Sequence, residues 1–407
     1  MVVMLSAVGP LDAQAVVAPQ ARAAAVLPQV KAGSAILTDA ATGQVLFERN
    51  ADVRRPIAST TKIMTAILVI ENCKTDDVVT ASESASKTPF TSLHLKPGEQ
   101  VKVRDLLYAL LIRSANDAGV AFAEHIGGTI DGFAQMMNDK AREIGARNTR
   151  FITPNGLYVP GHYSTARDLA LIARYALRLP IFNEIVGLRR QIIDRSVNKQ
   201  DLLVETHSKF LKDYPGADGI KSGYTKEAGY CFVGSATRSG WRLVSVVLKS
   251  PDSQIDTAAL MDYGFGCFQR VVLAEPGRPL TKVKVAGGDR ELEVVPADVV
   301  QVAVRLGQAA LARCELKLDE IHAPVRKGAK VGTITAYLGS QPVVTLDLQA
   351  AHDVSETLAS IAWPWVRAIG LLGMICFGAV YGRAAAKGNG ERRRRLAQEV
   401  RGADPRG

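Results

Sequence analysis

The chain opens with short runs of alternating apolar and polar residues and then turns helical. Residues 34–39 and 44–48 alternate around the turn Ala41-Thr42-Gly43 and predict two strands. In residues 60–71 the apolar positions Ile63, Met64, Ile67, Leu68 and Ile70 form a wide face, which predicts a largely buried helix. Residues 103–112, 118–126, 132–144 and 166–177 carry further helical patterns. Period two then returns over 218–225, 230–236 and 242–248, three strands joined by short turns, with a helix over 257–263 to pack on them. Strands at both ends of residues 30–266, with helices between, predict one α+β domain whose antiparallel sheet is assembled from distant segments.

The pattern changes again after Phe268. Residues 282–285, 291–294, 315–318 and 333–336 alternate strictly, and the turns between them hold Gly-Gly, Pro and Lys-Gly. A small all-β domain is expected over 268–350, followed by a polar linker at 351–357. Residues 358–383 hold one internal charge, Arg367, before Arg383, and a charge-free core at 368–382. As a helix that core is roughly 22 Å long, short for a hydrocarbon layer of ~30 Å unless Arg367 and Arg383 snorkel. Trp363 and Trp365 suit one interface, and the basic tail at 384–407 suits the cytoplasmic side. The expectation is a single-pass anchor near the C-terminus with everything before Leu358 outside the cell membrane. A helix lying on the membrane surface is the alternative. At the other end, residues 1–15 are apolar up to Val8 and carry Ala13-Gln14-Ala15, which reads as the remnant of a secretory signal.

Charge changes this picture little. The formal net charge of the 407 residues is +10, but net +5 of it lies in the last 25. A nucleic-acid partner therefore loses half its support. The five cysteines, Cys73, Cys231, Cys267, Cys314 and Cys376, form neither a disulfide framework nor a C-x-x-C pair. The six histidines are dispersed, so neither a metal site nor a cofactor is expected.

Candidate chemistry lies in three short strings: Ser59-Thr60-Thr61-Lys62, Ser114-Ala115-Asn116 and Lys221-Ser222-Gly223. A serine hydroxyl needs a base to take its proton. Ser59 and Lys62, three apart at a helix start, share a face. The lysine serves as base only when neutral, so burial and a nearby cation such as Lys221 must lower its pKa from ~10.4. Ser114 could relay the proton to a leaving amine, and Asn116 could hydrogen-bond a substrate amide. Lys221, on a strand, suits a substrate carboxylate. Gly223 allows close approach of the substrate backbone. The N–H groups of Ser59 and Tyr224 could form an oxyanion hole. Each string alone is weak: helix capping by Ser59, capping at Ser114 and Asn116, and a solubilising edge lysine are its ordinary explanations.

Longer strings narrow the choice. Asp39-Ala-Ala-Thr-Gly43, Arg55-Pro-Ile-Ala-Ser-Thr-Thr-Lys-Ile-Met-Thr65, Leu95-Lys-Pro-Gly98, Gly161-His-Tyr-Ser-Thr-Ala-Arg-Asp168 and Asp218-Gly-Ile-Lys-Ser-Gly-Tyr-Thr225 resemble those of the low-molecular-mass penicillin-binding proteins, the serine-type D-alanyl-D-alanine carboxypeptidases. The resemblance implies a β-lactamase/transpeptidase-like catalytic domain, followed by the family's β domain. It also implies the reaction: Ser59 attacks the bond between two D-alanines at the end of a peptidoglycan stem peptide, and water hydrolyses the acyl-enzyme. Penicillin and other β-lactams acylate the same serine. Ser222 stands where the family usually has threonine, and Ser208 where it more often has asparagine. Thr153-Pro-Asn-Gly156 departs from the commoner Asn-Pro-His-Gly. A D,D-endopeptidase or a β-lactamase on the same site, and an inactive cell-wall binding protein, are the competing functions. Ala115, where class A β-lactamases have aspartate, counts against the β-lactamase. Oligomeric state and preferred muropeptide are not legible.

Overall fold

The computed structural model describes residues 2–5 and 27–401. A five-stranded antiparallel sheet is the frame of the catalytic domain. Its strands run in the spatial order Val45–Arg49, Ser34–Asp39, Trp241–Ser250, Gly229–Arg238 and Ala217–Thr225. Ser34–Asp39 pairs with Trp241–Ser250 from Leu248 opposite Ser34 to Leu243 opposite Asp39, so the sheet closes across some two hundred residues of sequence. Alternation sends its side chains to two cores. On one face Ile36, Val233, Val244 and Val246 pack against the helical half, which includes Lys62–Asn72, Asn116–Gly127 and Ala166–Ala176. On the other face Leu37, Phe232, Leu243 and Val247 pack under the helix Ser253–Cys267.

The segment bearing Ser59 differs in detail from the expected helix. Ala58–Thr61 is a 3-10 turn and the α-helix begins at Lys62. The helix Val103–Tyr108 widens into a π-helical turn at Ala109–Arg113, which ends on Ser114 in the left-handed region (φ 70°). Such an insertion is often found where a chain must redirect side chains into a site.

The second domain is a six-stranded antiparallel sheet together with the paired strands Phe268–Ala274 and Val300–Arg305. Phe268–Ala274, Val300–Arg305 and Gln341–Ala350 are strands that the alternation pattern did not single out. Val300–Arg305 is buried over its first five residues, the polar Gln301 included. Val2–Leu5 pairs as the edge strand along Ala312–Leu318. The remainder of the expected signal remnant up to residue 15 lies outside the described residues.

The domains meet through buried polar contacts. Asp39 is fully buried, and its Oδ2 accepts from Trp241 Nε1 (2.6 Å) and Gln301 Nε2 (3.3 Å). Gln44 donates to Ala303 O (2.7 Å) and accepts from Ala303 N (2.8 Å), pairing with that backbone as a strand would. The C-terminal segment is one helix, Leu358–Arg401, which runs through the basic tail instead of ending near residue 383. Arg, Lys, Glu and Ala are good helix formers, and they carry it past Gly388 and Gly390. Within it, 368–396 is long and apolar enough to be a candidate membrane span, and Ile369, Leu372, Ile375, Phe377 and Val380 are all exposed.

Candidate active site

The site lies where the turn Ala58–Thr61 meets the edge strand Ala217–Thr225. Lys62 is completely buried. Its Nζ lies 2.8 Å from Ser59 Oγ, 2.7 Å from Asn116 Oδ1 and 2.8 Å from the main-chain oxygen of Asn155. The two carbonyl-type oxygens can only accept. A neutral amine has two N–H bonds and one lone pair, so both N–H bonds go to Asn116 and Asn155. The lone pair is then left for the hydroxyl proton of Ser59.

Charge favours that neutral form. Burial, and next the positive charge of Lys221, hold Lys62 well below the ordinary lysine pKa, with the Asp117 carboxylate pulling the other way. Lys221 is 4% exposed, its Nζ donates to Ser222 O (3.0 Å), and burial brings its pKa down to about 7. A cavity of about 20 Å³ bordered by Lys221, Ser222, Thr206 and Ser208 has room for about one water molecule. Ser208 itself caps the short helix Lys209–Asp213 by accepting from Leu211 N (3.1 Å).

Gly223 answers a steric demand of the protein itself. A Cβ on it would stand 2.6 Å from Ser59 N and 3.1 Å from Ala58 Cβ. The clearance that sequence reasoning assigned to substrate is already taken up by the turn bearing Ser59. Tyr224 follows, 59% exposed, its ring 4.6 Å from that of Tyr230 on the neighbouring strand.

The turn bearing Ser59 is held from behind. Thr61 Oγ1 donates to Ala58 O (2.8 Å) and lies 2.9 Å from His162 Nε2. His162 Nδ1 accepts from Ile152 N (3.1 Å) and Thr153 N (3.3 Å), so the proton of the neutral ring sits on Nε2 and points at Thr61. Burial depresses the His162 pKa to about 4, which keeps that tautomer through the physiological range. Gly156 has φ +81°, and a Cβ there would meet Ala58 O at 1.9 Å. The segment carrying Asn155 therefore presses directly on the turn.

Of the residues singled out by sequence, Lys62 touches both Ser59 and Asn116, and Gly223 lies against the Ser59 turn. Ser222 and Tyr224 share the Lys221 strand. Ser114 is half-buried, with no hydrogen bond to its hydroxyl among the described residues. Asn116 is nearly buried: besides its contact with Lys62, its Nδ2 donates to Pro89 O (2.9 Å). Asn155, Asp117 and His162 were given no role by sequence reasoning. Asn155 acts through its main-chain oxygen, which leaves no mark in the residue type.

A family model described as D-alanyl-D-alanine carboxypeptidase matches residues 20–252, and one described as the C-terminal domain of penicillin-binding protein 5 matches residues 268–356. The D-alanyl-D-alanine carboxypeptidase DacF of Bacillus subtilis is 33% identical over 80% of this chain and 86% of its own length. Among solved structures, penicillin-binding protein 5 of Haemophilus influenzae superposes with a TM-score of 0.68 at 30% identity, covering 81% of this chain and 99% of that one. The DD-transpeptidase of Streptomyces K15 superposes with a TM-score of 0.57 at 32% identity over 59% of this chain and 99% of its own.

Proposed function

The chain belongs to the D-alanyl-D-alanine carboxypeptidase family, and from that membership we propose that Ser59 is the nucleophile and Lys62 its base in removing the terminal D-alanine from peptidoglycan stem peptides. The observation that carries this assignment is the direction of the Lys62 lone pair. Asn116 Oδ1 and Asn155 O take both N–H bonds of the neutral amine and leave the lone pair to Ser59.

The steps follow from that arrangement. The substrate's terminal carboxylate pairs with the Lys221 ammonium and the Ser222 hydroxyl. Ser59 Oγ bonds to the scissile carbonyl carbon as its proton passes to Lys62 Nζ. The N–H groups of Ser59 and Tyr224 receive the oxyanion. The lysine proton then moves to the leaving nitrogen, through Ser114 Oγ, and the C–N bond breaks to release D-alanine. Water loses a proton to Lys62 and adds to the ester, and Ser59 regains its proton as the shortened peptide leaves. A β-lactam carries its own carboxylate and strained amide into the same positions.

After treatment with benzylpenicillin, mass spectrometry of the digested protein should find the penicilloyl group on the peptide containing Ser59. An adduct on any other residue refutes the assignment. The acyl-enzyme should also persist for many turnovers' worth of time. Rapid release of penicilloate would make the protein a β-lactamase.

Placement at the membrane belongs to the same proposal. The candidate span and the Arg392–Arg395 run beyond its apolar core suit a single pass with the basic end in the cytoplasm. Removing residues 358–407 should transfer penicillin-labelled protein from the membrane pellet to the supernatant at unchanged specific activity. Retention in the pellet would mean that the helix is not the anchor.

A further inference from the structure

Asn116 cannot orient Lys62 unless its own amide is oriented. The two ends of that amide are nearly the same shape, and only the neighbour on the far side decides which end faces the lysine. That neighbour is Pro89 O, which accepts from Asn116 Nδ2 (2.9 Å) and so turns Oδ1 toward Lys62. Thr91 O accepts from Asn116 N (2.8 Å) in the same way. The segment 89–95 therefore sets the direction of the Lys62 lone pair through Asn116, while the hydrogen-bond partners of the lysine itself are Ser59, Asn116 and Asn155.

This segment is irregular, with Phe90 (φ 67°) and His94 (φ 59°) in the left-handed region. It has no strand to pair with and is held by buried charged side chains on two sides. Asp117, fully buried, accepts from Ser92 Oγ (2.6 Å), Leu93 N (2.9 Å) and Leu95 N (3.0 Å). From the other side Arg195 donates to Leu93 O (2.8 Å) and His94 O (3.3 Å). Arg195 is itself fixed by a two-pronged pair with Glu99 (2.8 and 3.0 Å), and both side chains are fully buried. Glu99 also accepts from Lys96 N (2.9 Å). One set of residues thus takes the segment's N–H groups and the other its carbonyls.

We propose that Asp117 and the Arg195–Glu99 pair are positioning residues that fix segment 89–95, and through Pro89 O the Asn116 amide, so that the Lys62 lone pair faces Ser59. Mere scaffolding would predict loss of stability alone. Positioning predicts a loss in the chemical step that runs through Asn116. The proposal rests on Lys62 being the base.

The test uses the full chain and D-alanine release from a peptide ending in D-Ala-D-Ala. Arg195→Lys and Glu99→Gln keep a donor or an acceptor in place. Each should lower kcat by about tenfold or more, as a small misplacement of a catalytic group does, with KM within about twofold. In an Asn116→Ala background, adding Arg195→Lys should produce no further fall, because the route to Lys62 is already cut. Thermal melting of every variant accounts for lost stability. An unchanged kcat at a lowered Tm, or an equal fall in both backgrounds, overturns the proposal. Failure of the base assignment is seen separately, as a Lys62→Ala enzyme that still acylates at the normal rate.

Discussion

Lys62→Met should give a folded protein that acylates about 10³–10⁴-fold more slowly with benzylpenicillin and releases D-alanine correspondingly slowly, the span usual for a lost general base. At 10³ the barrier rises by about 4 kcal/mol. Methionine is chosen because Lys62 is fully buried at the first turn of its helix, and an unbranched apolar chain keeps that packing. Asn116 Oδ1 and Asn155 O lose their donor, so some stability is lost, about 1–3 kcal/mol for each unsatisfied group. The pH profile separates base from structure. In the native enzyme kcat/KM rises as pH passes the Lys62 pKa, which lies well below the ordinary lysine value. It should fall again as Lys221, brought down to about 7 by burial, loses the charge proposed to hold the substrate carboxylate. In Lys62→Met the acid limb should vanish while the alkaline limb stays. An acid limb preserved in the variant would assign it, and the base, to another group.

Gly223→Ala is the second large effect. The new methyl would sit 2.6 Å from Ser59 N and 3.1 Å from Ala58 Cβ, with the next backbone nitrogen, Thr60 N, at 3.2 Å. No flexible side-chain tip is available to give way. The edge strand and the nucleophile turn must separate, and the proposed oxyanion donors Ser59 N and Tyr224 N separate with them. Loss of one such donor costs about 10²–10³ in kcat, and overpacking of this kind costs about 1–3 kcal/mol of stability. Stopped-flow acylation and denaturant unfolding measure the two. Gly266→Ala is the control: no atom lies within 4 Å of its added Cβ, and alanine is the better helix former. Acylation by Gly223→Ala at the native rate would show that the strand and turn need not stay in register.

Much of this was legible because local periodicity and short spacing carry it. Ser59 and Lys62 are three residues apart, and the strand around Lys221 alternates visibly. The α+β frame could be read from strands at both ends of a helical stretch. The unread parts depend on contacts without local signature. Glu99 and Arg195 are ordinary charged residues 96 positions apart in sequence, and nothing near either predicts a fully buried pair. Asn155 contributes an atom that every residue has. The strand Val300–Arg305 does alternate, but the burial of its polar Gln301 depends on Asp39, 262 positions away in sequence. Gly223 was singled out for substrate clearance, but the contact that requires glycine comes from the turn at Ala58–Ser59. That turn is a 3-10 element whose closeness to the strand only the folded chain reveals.

Burial of the Lys221 side chain makes the stability of the fold itself pH-dependent. Burial lowers its pKa to about 7, below its value in the unfolded chain. Between the two values the unfolded chain binds the extra proton, so the fold gains stability as pH rises across that window. The penalty is complete below about 7 and gone above the unfolded value of ~10.4. An anion at Lys221 lets the ammonium keep its proton and removes the penalty without any change of pH. With Lys221 as the proposed carboxylate anchor, binding would relieve a cost built into the fold, and substrate, product and β-lactam alike would act as folding ligands at one atom.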